Sequence, residues 1–156
     1  QVLEVKQRRV ENAERVVKQK KELLEKEEQK LKEREQERDK VKHHYDDKLK
    51  QLREEMDHES TSPKLQQMKI YIKTVDEKLK VEEKKVKDQQ ETVKIAQKNL
   101  DKAKEDLWIK RQEVDKLHTH RKDWEKERRK EQEIIEGREQ DELGSIIFIS
   151  RHRRSK

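Results

Sequence analysis

Apolar residues recur at every seventh position over most of this chain, and that period constrains the fold more than any other feature. The first half has one such series, interrupted by a single charge: Leu3, Val10, Val17, Leu24, Leu31, Arg38, Tyr45 and Leu52. The second half has an uninterrupted aliphatic series: Leu65, Ile72, Leu79, Val86, Val93, Leu100, Leu107 and Val114. A sustained seven-residue period with charged residues between its members is typical of a coiled coil, and these residues are its a positions.

The d positions complete the pattern only in part. In the second half they are Met68, Val75, Glu82, Gln89, Ala96, Ala103, Lys110, Leu117 and Trp124. In the first half they are mostly polar: Lys6, Ala13, Lys20, Glu27, Arg34, Val41, Lys48 and Glu55. Val16 and Leu23 widen the apolar stripe of the first half to one side, which leaves room for contact with a third surface.

Composition allows two kinds of structure, and the period decides between them. Charged residues make up 51% of the chain and hydrophobic residues 27%, which is too little apolar material for a thick globular core. A disordered chain and a long coiled coil both suit that composition. A disordered chain has no reason to keep apolar residues in register over so many heptads, so we predict the coiled coil.

The only proline, Pro63, marks a break between two helices. The residue before a proline avoids helical backbone angles, whereas proline itself suits the first turn of a helix. Ser60, Thr61 and Ser62 are candidates for the capping residue of the second helix. A short loop between two long helices favours an antiparallel hairpin. The predicted fold is therefore all-α, a long antiparallel two-helix coiled-coil hairpin.

The predicted boundaries follow from these signals. We expect one hairpin domain over residues 1–143, with a helix over 2–57, a loop over 58–62 and a helix over 63–142. Gly144 is expected to end the second helix, because glycine is a poor helix former. Residues 144–156 are then a basic, disordered tail, since no acidic residue follows Glu142.

A hairpin that folds about this loop pairs residues whose numbers have a constant sum, and a sum of 120 matches a positions to d positions throughout. Leu52 then meets Met68, and Ala13 meets Leu107. Arg38, the one charge in the first a series, meets Glu82, the first charge in the second d series. We expect this pair to set the register more than to add stability, because burial of an ion pair often costs as much as the pair contributes.

The two predicted helices are unequal in length, so the second should extend beyond the first. Pairing ends near His118, and the residues that follow form a C-terminal helical overhang. This overhang holds the aromatic and aliphatic side chains Trp124, Ile134 and Ile135.

The sequence offers no support for catalysis, a cofactor or a metal. It has two glycines, so no phosphate-binding loop is visible, and it has no cysteine. The histidines do not have the i, i+4 spacing of a helical zinc pair and are read as solvated: His43, His44, His58, His118, His120 and His152. Acidic and basic residues alternate along the body, unlike the one-sided basic surface of a nucleic-acid-binding protein. The longest apolar run, Ile146–Ile149, is far shorter than the roughly 20 residues of a membrane span, and no signal peptide is visible.

The basic C-terminal segment and the loop end leave alternatives open. The C-terminal residues "RHRRSK" could bind phosphates or an anionic membrane surface. The alternative, which we favour, is that they form a solvated, frayed terminus. Near the loop, Leu49, Met56 and Tyr71 are apolar where a simple coiled coil would use charges. They indicate either a contact site or the packing of the hairpin end.

Three stretches of the sequence carry a family resemblance. "RVENAERVVKQKKELL", "EREQERDKVKHHY" and "QQMKIYIKTV" resemble the chlamydial branch of the YscO family, the stalk proteins of type III secretion, over residues 8–143. Those proteins are similar in shape to flagellar FliJ and to the γ subunit of rotary ATPases. Two departures from the family are the missing short lead-in before the first basic residues and the ending "GSIIFISRHRRSK", whose role the resemblance does not supply.

The resemblance implies a non-enzymatic function. Such stalks insert into the central pore of the hexameric secretion ATPase and link it to the cytoplasmic domain of the export gate, and they handle secretion chaperones. It also implies two contact sites. Near the loop, the candidates for contact with the gate or a chaperone are Tyr45, Leu49, Leu52, Met68, Tyr71 and Ile72. At the open end of the predicted hairpin, which is the end opposite the loop, the candidates for contact with the ATPase are Val10, Arg15, Trp124, Arg128 and Arg129.

From this resemblance we expect a cytoplasmic bacterial protein that lies at the inner-membrane side of the secretion apparatus. We also expect it to be monomeric when alone. The alternative is a structural spacer that self-associates through its apolar edges. The two differ in stoichiometry, because a stalk binds a hexamer as a single copy whereas a spacer forms dimers or larger assemblies.

Overall fold

The computed structural model describes residues 1–58 and 61–155. It contains two long helices, α1 (Val2–Asp57) and α2 (Ser62–Arg154), which pack against each other. The described part contains no strand. The predicted all-α helical hairpin with a helical overhang is confirmed.

The start of α2 lies at one of the predicted capping residues. The carbonyl oxygen of Thr61 accepts the first hydrogen bond of α2, from the amide of Leu65 at 3.1 Å. Thr61 therefore occupies the N-cap position, and Pro63 lies in the first turn, where its missing N–H leaves no bond unmade. Ser60, another candidate cap, lies outside the described residues.

Burial follows the heptad positions read from the sequence. The buried side chains of α2 are all at a or d positions: Ile72, Val75, Leu79, Glu82, Val86, Leu100, Ala103 and Leu107. In α1 only Ala13 and Leu24 are fully buried, and the other a and d residues are half-buried, except Arg34, which is exposed. The core is therefore a single narrow seam, as the low hydrophobic content requires.

The chain divides into two compact units, and the larger comprises Glu11–Leu107. Within it, contacts between the helices confirm the antiparallel arrangement. The side-chain amide nitrogen of Gln89, Nε2, donates to the Glu27 carboxylate at 2.6 Å. It also donates to the backbone carbonyl oxygen of Glu27 at 3.0 Å. Near the turn, the ammonium group of Lys64 lies 3.4 Å from the Glu55 carboxylate. These two pairs have residue-number sums of 116 and 119, within about one helical turn of the predicted 120.

The second unit comprises Gln1–Val10 and Trp108–Lys156. Within it, the ammonium nitrogen of Lys6 lies 4.0 Å from the Glu113 carboxylate, which joins the start of α1 to α2. Leu117 is the last side chain of the seam that is even half-buried. Beyond it, the described residues of α2 are exposed, apart from the half-buried backbone position Gly137.

Two expectations from the sequence differ from the structure, and the first is the end of α2. The helix does not stop at residue 142 or at Gly144 but continues to Arg154, so 144–154 is helical and not a disordered tail. A glycine inside a helix costs only about 1 kcal/mol relative to alanine. Arg151, His152, Arg153 and Arg154 in the last turn interact favourably with the negative end of the helix dipole.

The second difference is the predicted register pair, because Arg38 and Glu82 do not form an ion pair. The Arg38 guanidinium donates to the Asp39 carboxylate at 3.2 and 3.1 Å. One Glu82 oxygen accepts from Lys85 at 3.3 Å, and the other, Oε2, is buried with no hydrogen-bond partner. Arg38 thus finds a local partner that leaves part of its side chain in water, which avoids the desolvation of a direct buried pair. Glu82 stays buried, and only one of its two oxygens is paired.

Candidate partner-binding surfaces

The hairpin tip carries a polar cluster around Tyr71. Its hydroxyl oxygen lies 2.8 Å from Nε2 of His44 on the other helix, and the two rings meet edge to face with centroids 5.8 Å apart. The ammonium nitrogen of Lys48 lies 5.6 Å from the centre of the Tyr71 ring, within cation–π range. Tyr71 is 48% exposed, so the ring is held in one orientation and still presented to solvent.

An open groove of about 430 Å³ lies beside this cluster. Its apolar floor comes from Met68, Tyr71 and Ile72, and its rim from Lys48, Lys64, Glu54 and Glu55. Ile72 is buried at 8% exposure, so it shapes the groove from below, whereas Met68 is half-buried. An apolar floor with a rim of both charges suits a protein side chain better than a small anionic ligand.

The other three residues predicted for the tip do not belong to this groove. Tyr45 and Leu52 are half-buried a-position residues of the seam. Leu49 is half-buried at an e position, and its neighbour Met56 is 49% exposed, also at an e position. Since Tyr71 is at a g position, Leu49 and Tyr71 flank opposite sides of the seam. The structure thus divides the predicted tip site into a groove and a separate apolar edge.

His44 and Lys48 are tip residues that the sequence reasoning missed. A signal for both was present, because a residue-number sum near 120 brings each of them close to Tyr71 across the seam. Spacing along one helix predicts solvated histidines, because it does not fit a metal site. The hydrogen bond between His44 and Tyr71 depends on the opposite helix, so the spacing within α1 does not indicate it.

Two of the residues predicted for the open end, Trp124 and Arg128, lie within cation–π range of each other. The Arg128 guanidinium carbon lies 5.2 Å from the centre of the Trp124 ring, one turn earlier on α2. Trp124 is 58% exposed, and Arg129 is exposed beside this pair. Val10, in the same unit, is half-buried. Arg15 is exposed and belongs to the unit formed by Glu11–Leu107.

The last turns of α2 expose both apolar and basic side chains. Phe148 is 71% exposed, and its ring stacks on that of His152 with centroids 6.3 Å apart. Ile146, Ile149 and Arg153 line a shallow open groove on this segment. Neither described helix contains a stretch that is both long and apolar enough to span a membrane.

The described residues contain no group of three or more histidine, cysteine, aspartate or glutamate side chains placed to hold a metal ion. The grooves found in the described part are open to solvent and lie on the hairpin surface. Fold and surfaces together define an all-α, two-helix hairpin whose exposed side chains are arranged along and at the ends of a narrow coiled-coil seam.

Comparison with known proteins gives the family. The model of the YscO-like proteins matches residues 1–154, so the chain belongs to the YscO-like family, which is associated with type III secretion. The solved structure of CT670 from Chlamydia trachomatis, described as a YscO homolog, is 46% identical in sequence. The match covers 99% of this chain and 95% of that one, with a TM-score of 0.89. The search of the curated proteins gives no significant match.

Proposed function

We propose that this chain is the stalk of a type III secretion system, a non-enzymatic protein that inserts into the pore of the hexameric secretion ATPase. Through it the ATPase is coupled to the export gate and to substrate chaperones. The YscO-like family and the structural likeness to the chlamydial homolog support this proposal.

The observation that carries the proposal is the exposed helix beyond Leu117. In water most of a helix's stability comes from packing an apolar face, and this segment has no described partner for its own. It nevertheless exposes large apolar side chains, among them Trp124, Ile134, Ile135 and Leu143. Such a helix suits burial in a pore supplied by another protein.

The ATPase contact is assigned to the open end. Trp124 with Arg128 presents an aromatic face and a guanidinium together, and Arg129 adds a second cation. Aromatic residues and arginine are the side chains that most often dominate protein interfaces. Val10 and Arg15, from α1, are assigned to the same contact.

The contact with the export gate or a chaperone is assigned to the hairpin tip. The groove floored by Met68, Tyr71 and Ile72 is one part of it, and the edge formed by Leu49 is the other. Tyr45 and Leu52 support these surfaces from the seam. As part of this proposal, we assign the protein to the cytoplasmic side of the inner membrane, peripheral to the apparatus.

Titration of the purified chain against the cognate secretion ATPase hexamer tests the proposal. We expect one copy to bind per hexamer. Trp124→Ala combined with Arg128→Ala should weaken binding at least tenfold, equivalent to about 1.4 kcal/mol. Trp108→Ala is the matched control, because Trp108 is also an exposed tryptophan of α2, at 62% exposure, and is not assigned to the contact.

A second titration, against the cytoplasmic domain of the export gate and against chaperones, tests the tip. Leu49→Glu combined with Tyr71→Ala should abolish binding, whereas Ile70→Ala, at an exposed neighbouring position, should not. If the double variant remains folded and binds normally, the tip assignment is wrong.

The mass of the free chain separates the stalk from a self-associating spacer. A stalk should sediment at the monomer mass of 19.2 kDa over a wide concentration range. A stable dimer or larger assembly at low concentration would favour the spacer.

A further inference from the structure

Four consecutive apolar residues near the C-terminal end of α2 cover the whole circumference of the helix. They are Ile146, Ile147, Phe148 and Ile149, and their exposed fractions are 65%, 45%, 71% and 53%. Successive residues of an α-helix are about 100° apart around its axis, so these four side chains project in four different directions. We call them the apolar collar. At this level the helix therefore has no polar face.

The apolar collar differs from the other exposed apolar residues of the same unit. Trp124 lies between charged residues, and the pair Ile134 and Ile135 covers only part of one turn. No other run of four consecutive apolar residues occurs in the sequence, which is only 27% hydrophobic. Single exposed apolar residues are common on protein surfaces, whereas a contiguous exposed group marks a contact site.

The geometry of the apolar collar limits what can cover it. A bilayer surface, a neighbouring helix and a second copy packed alongside all contact one side of a helix. Each would bury about half of the circumference and leave the other collar residues in water. End-on insertion into a bilayer is also unfavourable, because Arg151, Arg153 and Arg154 would enter the hydrocarbon first. Only a partner that encloses the helix covers all four residues.

Charged groups of opposite sign flank the apolar collar on its two sides. Before it, residues 138–142 hold three acids and one base. After it, residues 151–154 hold three arginines and a histidine, all exposed. The acidic residue nearest to Arg151 along the helix is Glu142, nine residues earlier. That separation is about 13.5 Å along the axis, which is too far for an ion pair.

The arginines of the last turn therefore keep most of their charge for a partner. None of Arg151, Arg153 and Arg154 forms a salt bridge with a side chain in the described part of the chain. The C-terminal end of a helix carries only about half of one negative charge, so the helix dipole offsets a small part of three cations. Along its axis, this end of α2 presents acidic, apolar and basic surface in that order.

We propose that the apolar collar is the turn of α2 around which the pore of the secretion ATPase closes from every side. This inference rests on the function proposed above, and it adds which part of the helix the pore encloses. The narrow part of the pore then presents a continuous apolar ring to the collar. Beyond that ring, toward the C-terminal end of α2, acidic groups of the ATPase line the pore and pair with the arginines.

The apolar collar is separate from the contact assigned to Trp124 and Arg128. Phe148 follows Arg128 by 20 residues in the same helix. That separation corresponds to about 30 Å along the axis of α2. The ATPase contact therefore extends over at least this length, with an aromatic and guanidinium pair at one end and the enclosed collar at the other.

A scan around the apolar collar tests the inference with the full chain and the cognate ATPase hexamer. Ile146→Gln, Ile147→Gln, Phe148→Gln and Ile149→Gln are made singly, because glutamine is polar and favours a helix. We expect each substitution to weaken binding by about tenfold or more, since each removes a buried apolar side chain. Val81→Gln is the matched control. Val81 is 54% exposed on α2 and belongs to neither ATPase contact, so its replacement should leave binding unchanged.

The order of charges is tested on the last turn of α2. Arg151→Glu combined with Arg154→Glu reverses two charges, whereas Arg151→Gln combined with Arg154→Gln only removes them. At low salt the reversed pair should bind about tenfold more weakly than the neutral pair, because glutamate is repelled by an acidic lining. Equal binding by the two variants would show that the pore carries no acidic groups at this position.

The same scan separates failure of the collar from failure of the proposed function. If two or more of the four collar substitutions leave binding unchanged, the partner contacts one side of the helix and does not enclose it. If none has an effect although Trp124→Ala with Arg128→Ala weakens binding, the proposed function stands and the pore closes elsewhere. If the wild type does not bind the hexamer, both the function and the collar assignment are wrong.

Two further measurements identify a different occupant. Flotation with vesicles of anionic phospholipid tests for a membrane surface. If the wild type floats and the collar variants neither float nor lose binding to the hexamer, the collar binds lipid and the inference is wrong. Sedimentation tests for further copies of the chain. If the wild type forms oligomers that the collar substitutions dissociate, the collar is covered by self-association.

Discussion

The Nε2 atom of His44 and the hydroxyl oxygen of Tyr71 lie 2.8 Å apart and join α1 to α2 near the turn. The pair links residues 27 positions apart in sequence, so it forms only in the antiparallel hairpin. It holds the Tyr71 ring at the edge of the tip groove and leaves about half of that side chain exposed.

A double-mutant cycle measures what this pair contributes. Tyr71→Phe keeps the ring and removes the hydroxyl, and His44→Ala removes the imidazole. We expect a coupling free energy of about 0.5–1.5 kcal/mol, typical of one intramolecular hydrogen bond. Chemical denaturation followed by far-UV circular dichroism gives the four free energies of unfolding. A coupling near zero would show that solvent replaces the bond without loss.

The buried carboxylate of Glu82 should reduce stability. Its Oε2 atom has no hydrogen-bond partner, and only 9% of the residue is exposed. Glu82→Leu replaces that group with an apolar side chain at a d position, so we expect the free energy of unfolding to rise by about 1–3 kcal/mol. Glu83→Leu, at an exposed neighbouring position, should change it by less than about 0.5 kcal/mol. Equal effects of the two substitutions would contradict this account.

Leu100 should be among the residues on which the hairpin depends most. It is 4% exposed at an a position, so Leu100→Ala leaves a cavity in the seam. The expected loss is about 2–4 kcal/mol, at the lower end if the narrow seam collapses around the cavity. Ile95→Ala serves as the control, because Ile95 is 58% exposed and its truncation should cost far less. Thermal and chemical unfolding of both variants supply the comparison.

Gly144 should weaken α2 locally without affecting the seam. An added Cβ at this position meets no atom within 4 Å, so alanine fits without strain. Gly144→Ala should stabilise the surrounding turns by about 0.5–1 kcal/mol. Hydrogen exchange of amides in 138–154 should slow several-fold, while the global unfolding transition stays the same. Unchanged exchange would indicate that the helix there does not depend on residue 144.

Heptad spacing predicted most of the seam, including the burial of Val86 and Leu100, and the backbone preferences of Pro63 predicted the position of the turn. The reason is that a coiled coil buries one stripe of side chains, and the residues of that stripe recur every seven positions in the sequence. The end of α2 was predicted too early, since a single glycine costs less than the rest of a helix contributes.

The sequence by itself determined the two helices, the antiparallel register and the family of this protein. Tertiary structure decided which charges pair, because a salt bridge depends on side-chain reach and on exposure to water. Arg38 pairs with Asp39, and Glu82 pairs with Lys85. The register alone predicted a pair between Arg38 and Glu82. Tertiary structure also decided that Leu49 and Tyr71 flank opposite sides of the seam. The sides of a seam become distinct surfaces only when the second helix is in place.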